Sequence, residues 1–194
     1  MNLFIIVGYY TKDTLYEERA KHFIQSLKKF KVPFYIEPIE NLGNWNKNTA
    51  YKPTFLKKML IKFPIQNVVY VDCDAEILRY PKLFETIEGD VAVHLFDRSC
   101  YSKSHQGFEV LSGTIFLRNN ERAFGLVEQW ESLCSAQPGI WDQKHLEKVL
   151  NGNFSLLPGE YCKIFDRWNK RYPDPVIVHY QASRQVRKRG GRLD

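Results

Sequence analysis

None of the apolar runs in these 194 residues is long enough to cross a bilayer. The short stretch Leu3–Val7 lacks the basic lead and small-residue cleavage site of a secretory signal, so it reads as a core strand. Cysteine is sparse: Cys73, Cys100, Cys134 and Cys162 form no C-x-x-C pair. That argues against a zinc site and a disulfide framework, and sets a reducing, cytoplasmic location as the expectation. There is no internal repeat and no low-complexity tract except a basic end.

The 44% apolar and 14% aromatic content belongs to a chain with a substantial core. Length and composition predict one domain over residues 1–183 and a basic tail over 184–194. The formal charge of +6 is local, because Arg184, Arg187, Lys188, Arg189 and Arg192 crowd that tail and leave the body close to neutral. Such a tail suits phosphates of a small ligand, an anionic lipid surface in peripheral contact, or nucleic acid. It has no interleaved aromatics, which weakens base stacking.

The elements read as strand (Leu3–Val7), helix (from Asp13 or Thr14 to Phe30), strand (Pro33–Glu37), an Asn/Gly-rich loop (Asn41–Asn48), helix (Thr54–Ile61, Pro53 in its first turn) and strand (Val68–Val71). This order predicts an α/β fold, a mostly parallel sheet flanked by helices, with ligands beyond the carboxyl ends of strands. Further on come a strand at Asp90–Leu95, a polar loop at Asp97–Phe108 and a strand at Val110–Leu117 broken by Gly113. Helices from Glu121 to Cys134 and from Trp141 follow, and then a last strand, Val176–Val178, ending at His179. Before that strand, Tyr161, Phe165 and Trp168 suit either stacking on a carbohydrate ring or a hydrophobic clasp.

The apolar run Val68–Val71 leads straight into Asp72-Cys73-Asp74. Alternation along a strand predicts that Asp72 and Asp74 share a face. Two carboxylates that close repel each other, and a divalent cation relieves the repulsion. Oxygen-rich sites suit Mg²⁺ or Mn²⁺. Gly8, Tyr9, Tyr10 and Thr11 stand at another strand end, where Tyr9 or Tyr10 suits stacking on a nucleobase. Lys52, Arg184 and Lys188 are cations suited to gripping phosphates, and Gly113 permits close backbone approach.

Strand, Asp-x-Asp, then a second short apolar run resembles the signature of the GT-A (Rossmann-like) glycosyltransferases. Four more blocks follow the order found in nucleotide-diphospho-sugar transferases, glycogenin-like (family 8-like) retaining members included. They are Tyr51-Lys52-Pro53, Leu111-Ser112-Gly113-Thr114, Trp141-Asp142-Gln143 and Val178-His179-Tyr180. The resemblance implies a Lys-Pro helix start, a Ser112-Gly113 strand lining the sugar pocket, Asp142 and Gln143 beside the transferred sugar, and His179 completing a metal site with Asp74 and Asp72. It further implies a nucleotide-sugar donor, UDP-sugar by default, and transfer to a hydroxyl on a glycan, lipid-linked sugar, protein or nucleic acid. If the enzyme inverts, Asp142 is the candidate general base and Asp97 the second.

Each residue also has a plainer reading. Asp142 suits a helix N-cap, Lys52 a solvated charge, His179 a packed core histidine and Ser112 a strand hydroxyl. Two other functions remain open at this point. One is a haloacid dehalogenase-type phosphatase using Asp72 and Asp74, disfavoured because Ala75-Glu76 stands where Gly-Thr usually follows. The other is a nucleic-acid-directed protein acting through the tail.

Overall fold

The computed structural model describes residues 3–100, 104–165 and 172–183. Strand β1 (Phe4–Thr11) alternates Phe4 and Ile6 toward one core with Ile5, Val7 and Tyr9 toward another. Thr14 then caps helix α1 (Leu15–Lys29), accepting from the Tyr16 N–H at 3.1 Å. After β2 (Phe34–Ile39), the stretch expected to be a loop contains a short helix, α2 (Trp45–Ala50). Its Asn residues are the reason. Asn44 accepts from the Lys47 N–H at 2.9 Å, and Asn48 binds Leu42 N–H and the Asn41 side chain. Helix α3 (Lys52–Lys62) follows at once, with Pro53 in its first turn. Strand β3 (Asn67–Val71), β4 (Ala75–Ile77), β5 (Val91–Asp97) and β6 (Phe108–Leu117) lead to helices α4 (Glu121–Ala136) and α5 (Asp142–Leu150). Short strands β7 (Ser155–Leu156), β8 (Lys163–Ile164) and β9 (Ile177–His179) complete the described elements.

The main sheet has the order β2-β1-β3-β6-β5-β7, and the pairings leave β6 alone running against the other five strands. The expected mostly parallel α/β sheet is thus present. One face is covered by α3, α4 and α5, whose Phe55, Leu56, Val127, Trp130 and Leu146 pack on Tyr9, Tyr70 and Ile115. The other face carries α1, through Ala20, Phe23 and Leu27, and the small sheet β4-β9-β8.

One irregularity builds the site. Val93 of β5 pairs with Ile115, but the next residue, His94, pairs with Leu111. Residues Ser112, Gly113 and Thr114 therefore leave β5. They stay on β3, where Val71 pairs with Thr114 and the Asp72 N–H donates to the Gly113 carbonyl at 2.9 Å. The break expected at Gly113 exists on one side of the strand only. Extra residues between paired positions re-aim side chains, and here they aim them at the end of β3.

Candidate active site

Val71 ends β3, and Asp72 to Ala75 form a turn closed by Ala75 N–H donating to the Asp72 carbonyl at 3.0 Å. This turn, and not strand alternation, brings the two carboxylates together. Asp74 Oδ2 accepts from the Ala182 N–H at 2.7 Å, and the Asp74 carbonyl accepts from the Tyr180 N–H. The segment after β9 is thereby tied to the turn, and His179 comes with it. Ligand atoms of Asp72, Asp74 and His179 all lie within 4.8 Å of one another.

The chemistry of these donors fits a divalent cation. The Thr114 hydroxyl donates to the Tyr161 carbonyl at 3.1 Å, so at 2.9 Å from His179 Nε2 it accepts that ring proton. His179 then keeps its lone pair on Nδ1. A Cβ built on Gly113 would lie 3.3 Å from Nδ1 and 3.2 Å from Asp72 Oδ2, so both atoms converge over the glycine. Asp72 uses its other oxygen, Oδ1, on the Tyr70 hydroxyl at 2.9 Å and Lys52 at 3.2 Å. Burial, with Lys52 adding to it and Asp72 opposing, lowers the His179 imidazole to about 4, so it is neutral at pH 7. Burial and the Asp72 charge push Asp74 up to about 6. Two anionic groups and a neutral imidazole are a donor set for a borderline-hard dication.

A second corner is already neutralised from within. Lys52 is 3% exposed and Asp142 4%. The ammonium lies 3.3 Å from Asp142 Oδ2 and donates to the Ser112 carbonyl and hydroxyl at 3.0 and 3.2 Å. Burial alone would lower the Lys52 pKa, but Asp142 and Asp72 outweigh it and hold it above the ordinary value. Lys52 is therefore an internal counter-ion, where the sequence suggested a mobile phosphate grip or a solvated charge. Asp142 is the first residue of α5, and Trp141 holds the cap position. Its carboxylate accepts from Ser112 Oγ at 3.2 Å and does not cap the helix. Gln143 is fixed at both ends: Oε1 accepts from the Ser112 N–H at 3.3 Å, and Nε2 donates to Glu109 Oε1 at 2.5 Å.

Both corners floor one cavity of about 570 Å³, also lined by Tyr10, Thr11, Trp45 and Trp141, within the usual range of small-molecule sites. Of the expected site residues, Tyr9, Tyr10, Thr11, Lys52, Asp72, Asp74, Ser112, Gly113, Asp142, Gln143 and His179 border it. Gly8 does not. It lies inside β1, where a Cβ would come 2.7 Å from the Val71 carbonyl oxygen, so it serves the β1–β3 approach. Tyr9 is no base platform: its ring packs edge-on against Tyr51 at 5.3 Å and its hydroxyl donates to the Asn48 carbonyl. Tyr161 takes the clasp role, since it packs on Phe84 and bonds Leu83 N–H. Arg184, Lys188 and the rest of the tail, with Trp168, lie outside the described residues. Sequence reasoning missed Thr114, Tyr70, Glu109 and Trp45. Thr114 stood beside Ser112 and Gly113 with no role assigned to it, while the others carried no local signal.

A model of the nucleotide-diphospho-sugar transferases matches residues 56–189. The chain belongs to this family. Solved structures with similar folds include a glycosyltransferase involved in the glycosylation of the major capsid of PBCV-1, at 18% identity and TM-score 0.70 over 98% of both chains. Another is the glycosyltransferase GlyE of Streptococcus pneumoniae TIGR4, at 15% identity and TM-score 0.61, covering 93% of this chain and 55% of that one. No curated protein matches the sequence. The transferase is thus a GT-A type enzyme whose reaction class is glycosyl transfer from a nucleotide sugar, and family membership removes the phosphatase alternative. Among the described residues, no helix is long and apolar enough to cross a membrane.

Proposed function

We propose that this transferase is metal-dependent, takes a UDP-sugar and passes the sugar to an acceptor hydroxyl with retention of configuration. The observation that carries the reading is the convergence of Asp72 Oδ2, Asp74 and His179 Nδ1 at the mouth of β3. Mn²⁺ or Mg²⁺ held by these three residues would neutralise charge on the departing diphosphate. Gly113, lacking a Cβ, leaves room for Asp72 Oδ2 and the His179 ring to converge on that ion. Lys52 pins Asp142 and Ser112, and Ser112 with Glu109 fixes the Gln143 amide at the cavity wall. Such pre-set dipoles favour a transition state with positive charge at the anomeric carbon. Tyr10 and Thr11, at the carboxyl end of β1, border the region where the base would lie. The UDP preference and retention rest on the family resemblance. A cytoplasmic setting fits the buried thiols of Cys73, Cys134 and Cys162 and the absence of disulfides among the described residues.

Titration calorimetry with UDP and GDP tests the reading. UDP is expected to bind with Mn²⁺ present and to lose at least about 100-fold in affinity in EDTA or in Asp74→Asn, a variant that still melts cooperatively. UDP binding that ignores both EDTA and Asp74→Asn would rule out the metal site.

A further inference from the structure

The indole of Trp141 is 47% exposed, an uncommon position for so large an apolar ring. It is nevertheless fixed. Trp45 meets it edge to face, with centroids 5.7 Å apart and planes at 82°. Trp45 is itself within hydrogen-bonding reach of the Tyr16 hydroxyl. Both indoles line the cavity. A pre-set aromatic wall offers contact area with little side-chain entropy left to lose on binding.

Next to this wall lies a polar ledge. Trp141 runs directly into Asp142 and Gln143, and Gln143 is bonded to the Glu109 carboxylate. The flat face of an exposed indole beside an amide–carboxylate ledge matches a ring with one C–H face and a rim of hydroxyls. Charge narrows the choice further. Among the described residues bordering the cavity, Lys52 is the one lysine or arginine, and Asp72 and Asp142 already neutralise it. Glu109, bonded to Gln143 on this ledge, would repel a phosphate placed there, whether of a polynucleotide or of a lipid diphosphate.

We propose that the acceptor is a neutral saccharide, one ring of which stacks on Trp141, the indole that Trp45 braces edge to face, with its hydroxyls on Glu109 and Gln143. The proposal rests on the glycosyl-transfer reading and names its second substrate. Indole ¹H–¹⁵N spectra of the full chain test it, since the four tryptophans give four signals, assigned with Trp45→Phe and Trp141→Phe. The probes are the methyl glycosides of glucose, galactose and N-acetylglucosamine, with lactose and maltose. At least one is expected to shift the Trp141 and Trp45 signals. Trp141→Ala should weaken that saccharide about 10-fold, Trp141→Phe about 3-fold, and both should leave the UDP affinity within about 2-fold.

Saccharides that leave both signals in place overturn the proposal. So does a Trp141 signal that moves with UDP alone together with a 10-fold loss of UDP affinity in Trp141→Ala, which would make the wall a nucleobase platform. A single-stranded oligonucleotide shifting both indoles while the sugars do not would do the same. The saccharide titration runs on the free protein, so it remains decisive even if UDP with Mn²⁺ fails to bind, the result that defeats the donor reading.

Discussion

Asp142 and Asp74 stand at two corners of one cavity floor, both turned away from water, and their partners differ in kind. Asp142 has the Lys52 ammonium and the Ser112 hydroxyl, whereas Asp74 has a backbone N–H from Ala182, and burial together with the neighbouring Asp72 carboxylate pushes its pKa up to about 6. One corner is complete as folded. The other holds negative charge that an external cation would balance. Buried charge that the chain neutralises itself serves positioning, and charge it leaves unbalanced marks where an ion is wanted.

The strongest way to break this comparison is to empty the completed corner. Lys52→Met strands Asp142 beside Asp72 and is expected to destabilise the protein by about 3–5 kcal/mol in urea unfolding. Adding Asp142→Asn should recover part of that loss, because the pair and not the lysine alone holds the corner. A Lys52→Met protein as stable as its parent would show that the corner is not held this way.

The next test strikes the orientation of His179. Thr114→Val removes the acceptor for the Nε2 proton and leaves a buried N–H without a partner, at about 1–3 kcal/mol. It should also weaken Mn²⁺-supported UDP binding about 10- to 100-fold, as loss of a group that orients a metal ligand does. An unchanged Mn²⁺ affinity would mean that Thr114 plays no part in orienting the ring.

The smallest effect is a pair of slopes of opposite sign, measured in EDTA between pH 4 and 6.5. Asp74, raised from 3.8 to about 6 when folded, contributes stability at low pH that is lost as pH rises through about 6. His179, lowered from 6.5 to about 4, contributes stability above 6.5 that is lost as pH falls toward 4. In the parent the two oppose each other. His179→Asn should therefore lose stability on raising the pH, and Asp74→Asn on lowering it. Slopes of the same sign would contradict the environments described for these residues.

The sheet was legible where periodicity was strong. Leu3–Val7, Val68–Val71 and the helix from Glu121 all lie within a few residues of their observed bounds. Helix α2 was not legible, because Asn41, Asn44 and Asn48 look like loop composition until their side chains are seen holding backbone and one another. Asp72, Asp74, His179, Ser112 and Asp142 could be nominated by residue type and order, and the structure brings them together. What spacing does not encode is which atom of each is spent elsewhere. The Thr114 bond to His179, the burial of Lys52 and the packing of Tyr9 are tertiary facts. Gly8 misled because its purpose lies across the sheet, under the Val71 carbonyl.

The three residues that abandon β5 have one further effect. Ser112 reaches the lysine corner, Thr114 steers the histidine corner, and Gly113 lies between them, so covalent bonds set a spacing of about 7 Å between their α-carbons. The chain thus carries a built-in ruler. A ligand must fit its ionic end and its sugar end to a length that no loop movement can stretch, and drift in the surrounding surface can reshape the mouth without recalibrating the floor.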